Sequence, residues 1–347
     1  NVMTTLFVAM TAFLLAAWLT KRFSSPGSRL YILDHPNERS LHSNPTPRSG
    51  GVALLAGAGV AMAGVLWRYG MQIELIWLAA SVAVLAVVSY FDDRRPLPVV
   101  VRLMAQIVSS GMFLAGGLTL SGISVPGAEW LWSPWVGYIT SVIFIVWMIN
   151  LYNFMDGMDG FAGGMAVIGF AAFACLGWMH GHTVFACVSL AVCTAATGFL
   201  LFNFPPARIF LGDVGSAPLG LIAAGLSLWG ARDAVFPLWI ALLIFSPFVV
   251  DATVTLVRRL VVGERIWEAH RSHYYQRLVQ VGWGHKKTVL REYALMLACG
   301  LSAIWAVRQT VLLQWLAVVF WLACYIALAL YVRVLENRAR LDASKAC

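Results

Sequence analysis

Eleven apolar stretches, each about long enough to cross a bilayer, constrain this chain more than any other feature. They cover residues 2–20, 51–68, 74–91, 99–118, 134–152, 161–179, 183–203, 214–230, 235–257, 289–307 and 311–332. A helix needs about 20 such residues to span the hydrocarbon, where only helices and closed barrels satisfy their backbone polar groups. Only 12% of residues are charged and 60% are hydrophobic, whereas an ordinary soluble domain carries about 25% charge. The fifteen tryptophans suit headgroup-level anchoring. The expectation is an all-α, polytopic membrane helix bundle of about 11 transmembrane helices, forming a single domain over residues 1–347. Lys21 and Arg22 follow the first apolar run rather than precede it, and no small-residue cleavage site appears. That stretch therefore reads as a span and not as a signal peptide.

Alternation of loops tests the count. With residues 21–50 placed inside, Lys21, Arg22, Arg29, Arg39 and Arg48 share a side with Arg94, Arg95, Arg102, Arg208, the basic residues from Arg258 to Arg291 and those of the tail. Only Arg68, Arg232 and Arg308, of 24 Lys and Arg residues, fall opposite. The positive-inside rule then gives a periplasmic N-terminus, a cytosolic C-terminus and cytosolic loops near 21–50, 92–98, 153–160, 204–213 and 258–288. The net charge of +8 is thus explained by topology, and no nucleic acid is expected as a partner. The cysteines lie inside apolar runs, Cys347 excepted, without metal-ligand spacing.

Four segments fall on the same inner side: Phe91-Asp92-Asp93-Arg94-Arg95, the run from Asn150 to Gly160, Phe210-Leu211-Gly212-Asp213-Val214-Gly215-Ser216, and the run from His270 to Arg277. Carboxylates are costly near hydrocarbon, so Asp92, Asp93, Asp156, Asp159 and Asp213 at loop edges invite a functional reading. Together these segments suit a magnesium-bound diphosphate, because magnesium takes one or two protein oxygens and fills its shell with phosphate and water. Asn153 and Asp213 offer such oxygens. Gly212 and Gly215 would let backbone N–H groups approach an anion at a helix start. Arg271, His273 and Arg277 add donors for charge on a leaving phosphate, and Asn150 and His270 join them as substrate-binding candidates. Adjacent Asp92 and Asp93 repel each other as anions, which suits one of them to proton handling. In the loop from Leu41 to Gly51, Arg48 with the Gly50-Gly51 backbone would hold a lipid phosphate; a rigid Pro/Gly connector is the plainer reading. Asp251, alone in an apolar run, reads as a packing or capping group.

At these residues the chain resembles the polyprenyl-phosphate N-acetylhexosamine-1-phosphate transferases, which include initiating enzymes of O-antigen synthesis and phospho-MurNAc-pentapeptide translocase. The likeness runs from about Leu41 to Gly284, and Asn150-x-x-Asn153-x-x-Asp156-Gly-x-Asp159-Gly and Phe210-Leu-Gly-Asp213-x-Gly-Ser216 are its most specific parts. It implies a UDP-N-acetylhexosamine donor of the GlcNAc, FucNAc or QuiNAc type, an undecaprenyl phosphate acceptor and UMP release, at the first membrane step of O-antigen, lipopolysaccharide or related glycan synthesis. It also implies a bacterial inner-membrane location, Mg2+ (with Mn2+ as substitute) on Asn153 and Asp213, catalytic roles for Asp92, Asp93, Asp156 and Asp159, and compatibility with a homodimer. His273 matches the first histidine of the family's His-x-His-His, whereas Tyr275 and Gln276 stand where the next two belong. A polytopic transporter of a lipid-linked or anionic solute is the rival reading; it would favour ionisable groups near the bilayer midplane.

Overall fold

The computed structural model describes residues 2–28, 30–34, 36, 41, 44–264 and 270–346. Arg29, Arg39, His42 and Ser43, used above in the reading of the first inner loop, lie outside the described residues. The elements run in the order α1 (Val2–Phe23), β1 (Leu33–Asp34), β2 (Thr46–Pro47), α2 (Gly50–Tyr69), α3 (Ile73–Arg94), α4 (Val99–Leu114), β3 (Gly122–Val125), β4 (Ala128–Leu131), α5 (Pro134–Phe154), α6 (Phe161–Met179), α7 (Thr183–Asn203), α8 (Asp213–Arg232), α9 (Leu238–Ile244), α10 (Ser246–Val261), α11 (Tyr274–Leu278), α12 (Gly284–Ala306) and α13 (Val311–Ala346).

Among the described residues nine helical segments are long and apolar enough to cross a bilayer. Two of the eleven expected spans take another form. The expected span 235–257 is broken into α9 and α10, which meet at 83°. Pro247 in the first turn of α10 lacks a backbone N–H and so starts a helix rather than continuing one. The stretch 99–118 yields only 16 helical residues, because Gly116 and Gly117 (φ +82°) turn the chain out. The all-α expectation also misses two antiparallel hairpins. One pairs Leu33 with Pro47; the other closes on Val125-Pro126-Gly127-Ala128, with Gly127 at φ +78° as a type II turn requires at its third position.

The bundle is built around α8, which is almost wholly buried, while α1 and α13 present long apolar faces outward. Small residues allow this. A Cβ on Gly220 would sit 2.5 Å from the Met148 carbonyl oxygen of α5, and one on Gly51 would sit 2.3 Å from Gly215 Cα. In hydrocarbon, such close backbone approach replaces the hydrophobic driving force that water supplies to soluble cores.

The two ends of the bundle differ in chemistry. At one end Arg232 bonds Glu74 at 2.9 Å and Asp233 at 2.7 Å, and Asp233 also takes His182 at 2.7 Å and the Trp229 indole N–H at 2.8 Å. This clamp joins the start of α3, the start of α7 and the end of α8. At the other end lie the start of α2, the ends of α3 and α5, and the start of α8, where all four sequence motifs belong.

Candidate active site

Two cavities meet at Asp213. The larger, about 540 Å3, is a mostly apolar groove between α3, α4 and α5, with Asp92, Arg102, Asn150, Asn153 and Asp213 along its polar end. Its lining residues Val99, Leu103, Ile107 and Ile143 are also exposed on the flank of the bundle, so the groove opens sideways. The smaller, about 200 Å3, is polar. Five carboxylates face it, from Asp34, Asp93, Asp156, Asp159 and Asp213, together with Arg48 and His285. Among the lining residues, only Asp213 belongs to both cavities.

The first turn of α8 fixes this arrangement. Gly212 at φ +74° brings the chain against the Arg48 carbonyl, where a Cβ would sit 2.4 Å away. The N–H groups of Asp213 and Val214 then donate to the two oxygens of the buried Asp93, at 3.1 and 3.0 Å. An anion is favoured at a helix start for its free N–H groups and its dipole, and here that anion is the protein's own carboxylate. This corrects the expectation that the Gly212–Gly215 backbone receives a substrate phosphate. The N–H groups of Gly50 and Gly51 donate to the Phe210 and Leu211 carbonyls at 3.0 and 2.8 Å. They are thus engaged in seating α2 on α8, and the lipid-phosphate reading of that pair fails for the same reason. Arg48 donates to the Asp93 carbonyl and stands 3.7 Å from its carboxylate and 3.5 Å from Asp34.

Asp92 and Asp93 therefore point to different places. Asp92 faces the groove, accepting the Leu97 N–H at 2.6 Å and lying 3.5 Å from Arg102. Asn150 is paired with Gln106 at 2.7 Å, so its amide is oriented by α4. Asp159 accepts the Ala207 N–H at 3.0 Å and lies 3.2 Å from His285, while Asn203 takes the Gly160 N–H at 3.0 Å and donates to the Ile209 carbonyl. Desolvation pushes the Asp156 carboxyl well above the usual carboxylate range, and Asp213, Asp93, Asp159 and Asp34 push it the same way. Such a cavity is short of positive charge.

The fourth motif reaches the site through α11. Asp251 accepts the N–H groups of Tyr274 and Tyr275 at 2.9 and 3.1 Å and lies 3.3 Å from His273, which is the capping role expected for it. Tyr275 is fully buried against Phe161 and donates to the Phe154 carbonyl at 3.1 Å. The tyrosine thus props the Asp156–Asp159 loop from beneath, and Gln276 lines the acidic cavity. Arg277 makes a bidentate pair with Glu336 of α13 at 2.6 and 2.5 Å and lines neither cavity, so its placement serves the tail helix rather than a diphosphate. The His270 ring lies tilted against that of His273, at 4.7 Å between ring centroids. Burial first, then His273 and Arg259, hold the His270 imidazole down at about 4. Neither His270, Arg271 nor His273 lines the two cavities.

Asp34, Gln106, Asn203 and His285 were not singled out in the sequence. Asn203 closes an apolar run just before Pro205-Pro206, and His285 opens the basic run His285-Lys286-Lys287, which are the signals that could have drawn notice to them. Asp34 carried none.

A magnesium ion fits the donor chemistry, since Asp213 borders both cavities and Asn153 lines the groove beside it, each offering a hard oxygen. Among the described residues no three His, Cys, Asp or Glu side chains stand ready to chelate an ion unaided.

The chain is similar to known proteins. Residues 75–231 match the family model described as glycosyl transferase family 4. The chain is 29% identical over 314 residues to a Bacillus subtilis protein described as "Probable undecaprenyl-phosphate N-acetylglucosaminyl 1-phosphate transferase", covering 89% of this chain and 86% of that one. It is 29% identical to the decaprenyl-phosphate N-acetylglucosaminephosphotransferase of Mycobacterium tuberculosis, covering 82% and 78%. To the phospho-N-acetylmuramoyl-pentapeptide-transferase of Shouchella clausii it is 26% identical, covering 71% and 78%.

Proposed function

We infer that this chain, which belongs to glycosyl transferase family 4, transfers an N-acetylhexosamine 1-phosphate from a UDP-sugar to undecaprenyl phosphate. The observation that carries the reading is the shared wall at Asp213, with an apolar groove on one side and an acidic cavity on the other. A lipid phosphate enters sideways along the groove, its tail against α3, α4 and α5. The diphosphate of the nucleotide sugar lies at the acidic cavity, where bare phosphate would be repelled by five carboxylates. A divalent cation would offset that charge where the two cavities meet, held by Asp213, which borders both, and by Asn153 from the groove side. Magnesium, when bound, supplies Lewis-acid stabilisation of the charge on the transferred phosphoryl group.

An oxygen of the lipid phosphate forms the new bond to the β-phosphorus, the bond between that phosphorus and the bridging oxygen breaks, and UMP leaves. The nucleophile is already an anion at pH 7, so the chain's residues need to position it rather than deprotonate it. Asp92 orients Arg102 at the mouth of the groove, and Arg102 meets the lipid phosphate. Asp93 holds the first turn of α8 and with it Asp213. Asp159 and Asn203 fix the loop that presents Asp156. The donor is a UDP-N-acetylhexosamine of the GlcNAc, FucNAc or QuiNAc type, and the product primes an O-antigen or related glycan on the cytosolic side of the inner membrane. Membranes bearing the protein, incubated with labelled UMP and each of these UDP-sugars, test the proposal. Label exchange into one donor should require magnesium and undecaprenyl phosphate and should vanish in Asp213→Ala. Exchange that persists in that variant sinks the assignment of Asp213.

A further inference from the structure

A third cavity, about 430 Å3, lies between α10, α12 and α13, away from the two that meet at Asp213. Its walls are largely apolar, with Val254, Leu295, Leu322 and Ile326 among them, yet Glu292 faces it from α12. Glu292 lies eight residues into that helix, about 12 Å from its start. Among the described residues its carboxylate takes no hydrogen bond and no ion pair. An ionisable group set in hydrocarbon without a protein partner marks a place where something else partners it. Arg291 lines the same cavity, with its guanidinium 4.0 Å over the Trp283 ring, and Lys287 stands 4.7 Å from that ring. An indole settles at headgroup level, so the cation is held near the membrane surface, at the wall of the same cavity that Glu292 lines. Asp251 gives the wall a second acid.

We propose that this cavity binds a phospholipid with a primary-ammonium headgroup, phosphatidylethanolamine, its ammonium on Glu292 and its phosphate on Arg291. Charge complementarity selects that headgroup. An anionic lipid sets its net charge against Glu292 and Asp251, and a choline headgroup has no N–H to give the carboxylate. The acyl chains follow the apolar wall of α13, which is open to the bilayer.

The test uses the full chain, purified in detergent, delipidated and exposed in turn to phosphatidylethanolamine, phosphatidylcholine and phosphatidylglycerol of matched acyl chains. Retained lipid is counted by native mass spectrometry. Phosphatidylethanolamine should be retained about tenfold better than the other two, Glu292→Gln should erase that preference, and Ala329→Phe, which fills the cavity, should reduce retention of all three. Equal retention of the three lipids by the unmodified chain, an undiminished preference in Glu292→Gln, or undiminished retention in Ala329→Phe overturns the proposal. Should Glu292→Gln fail to fold, the lipid series on the unmodified chain and Ala329→Phe still decide. The readout is binding rather than transfer, so its outcome is separable from that of the catalytic reading.

Discussion

Replacing Asp93 tests whether α8 is held by a carboxylate cap. Asp93→Ala strands the N–H groups of Asp213 and Val214 at the start of the most buried helix and removes the carboxylate beside Arg48. Hydrogen bonds to a charged group are worth roughly 1.5–3 kcal/mol each, and a carboxylate at a helix start adds about 0.3–1 kcal/mol. Two such bonds, partly compensated by water entering the acidic cavity, give a loss of about 3 kcal/mol. Asp93→Asn keeps an acceptor oxygen but loses the charge, and should cost about half as much. Asp92→Asn leaves the cap untouched, and its amide oxygen still accepts from Leu97, so its cost should stay below about 1 kcal/mol. Thermal unfolding of the detergent-solubilised protein should rank the unmodified chain and Asp92→Asn together, then Asp93→Asn, then Asp93→Ala. Exchange activity should fall in all three variants, so that Asp92→Asn is inactive yet stable. An Asp93→Ala protein that melts with the unmodified chain, or an Asp92→Asn protein that melts lowest, refutes the capping argument.

Other expectations are more local. Tyr275→Phe should keep its packing on Phe161 and lose only the bond to the Phe154 carbonyl, costing about 1 kcal/mol; Tyr275→His, which restores the family's usual residue at one position, should be the less stable of the two in the same melt. Arg277→Ala should keep most exchange activity while making the tail of α13 more sensitive to limited proteolysis, because it frees Glu336; loss of activity with an intact tail would return Arg277 to the site. At the opposite face, burial raises the Asp233 carboxyl, but hydrogen bonds from Arg232, His182 and Trp229 outweigh it and hold the group below the usual carboxylate range. Its contribution to stability is then fully present above the unfolded value near 3.9 and is lost as pH falls through the folded value. Asp233→Asn should be less stable than the unmodified chain at pH 7, and the gap should narrow below about pH 4; a pH-independent gap would contradict the ion-pair account.

Much of this was legible in the sequence, for identifiable reasons. Hydrocarbon imposes a length of about 20 residues on each crossing, so apolar runs such as 51–68 and 183–203 map almost residue for residue onto α2 and α7. Alternation of basic loops put the ends of α3 and α5 and the start of α8 on one side, and at one end of the bundle they meet. Hydropathy says nothing of a bend inside an apolar run, so Pro247 was the only sign that 235–257 would break. Partner choice among polar groups was not legible either. Gly50, Gly51 and Gly212 read as a phosphate cradle because free N–H groups suit anions, but whether those N–H groups are free depends on what the fold brings against them. Here it brings Phe210, Leu211 and Asp93. Asp34 was invisible for the same reason, since it matters only through what the β1–β2 hairpin places beside Arg48.

That Asp213 borders both the sideways groove and the acidic cavity has a consequence for how the two reactants are traded. On the proposed function each would reach the same carboxylate through its own door, one along the apolar groove and one through the acidic cavity, so neither would have to clear the way for the other. Acceptors with shortened tails should then weaken only their own grip and leave nucleotide affinity unchanged. A compound with a greasy arm and a charged head, joined across Asp213, would block both entrances at once.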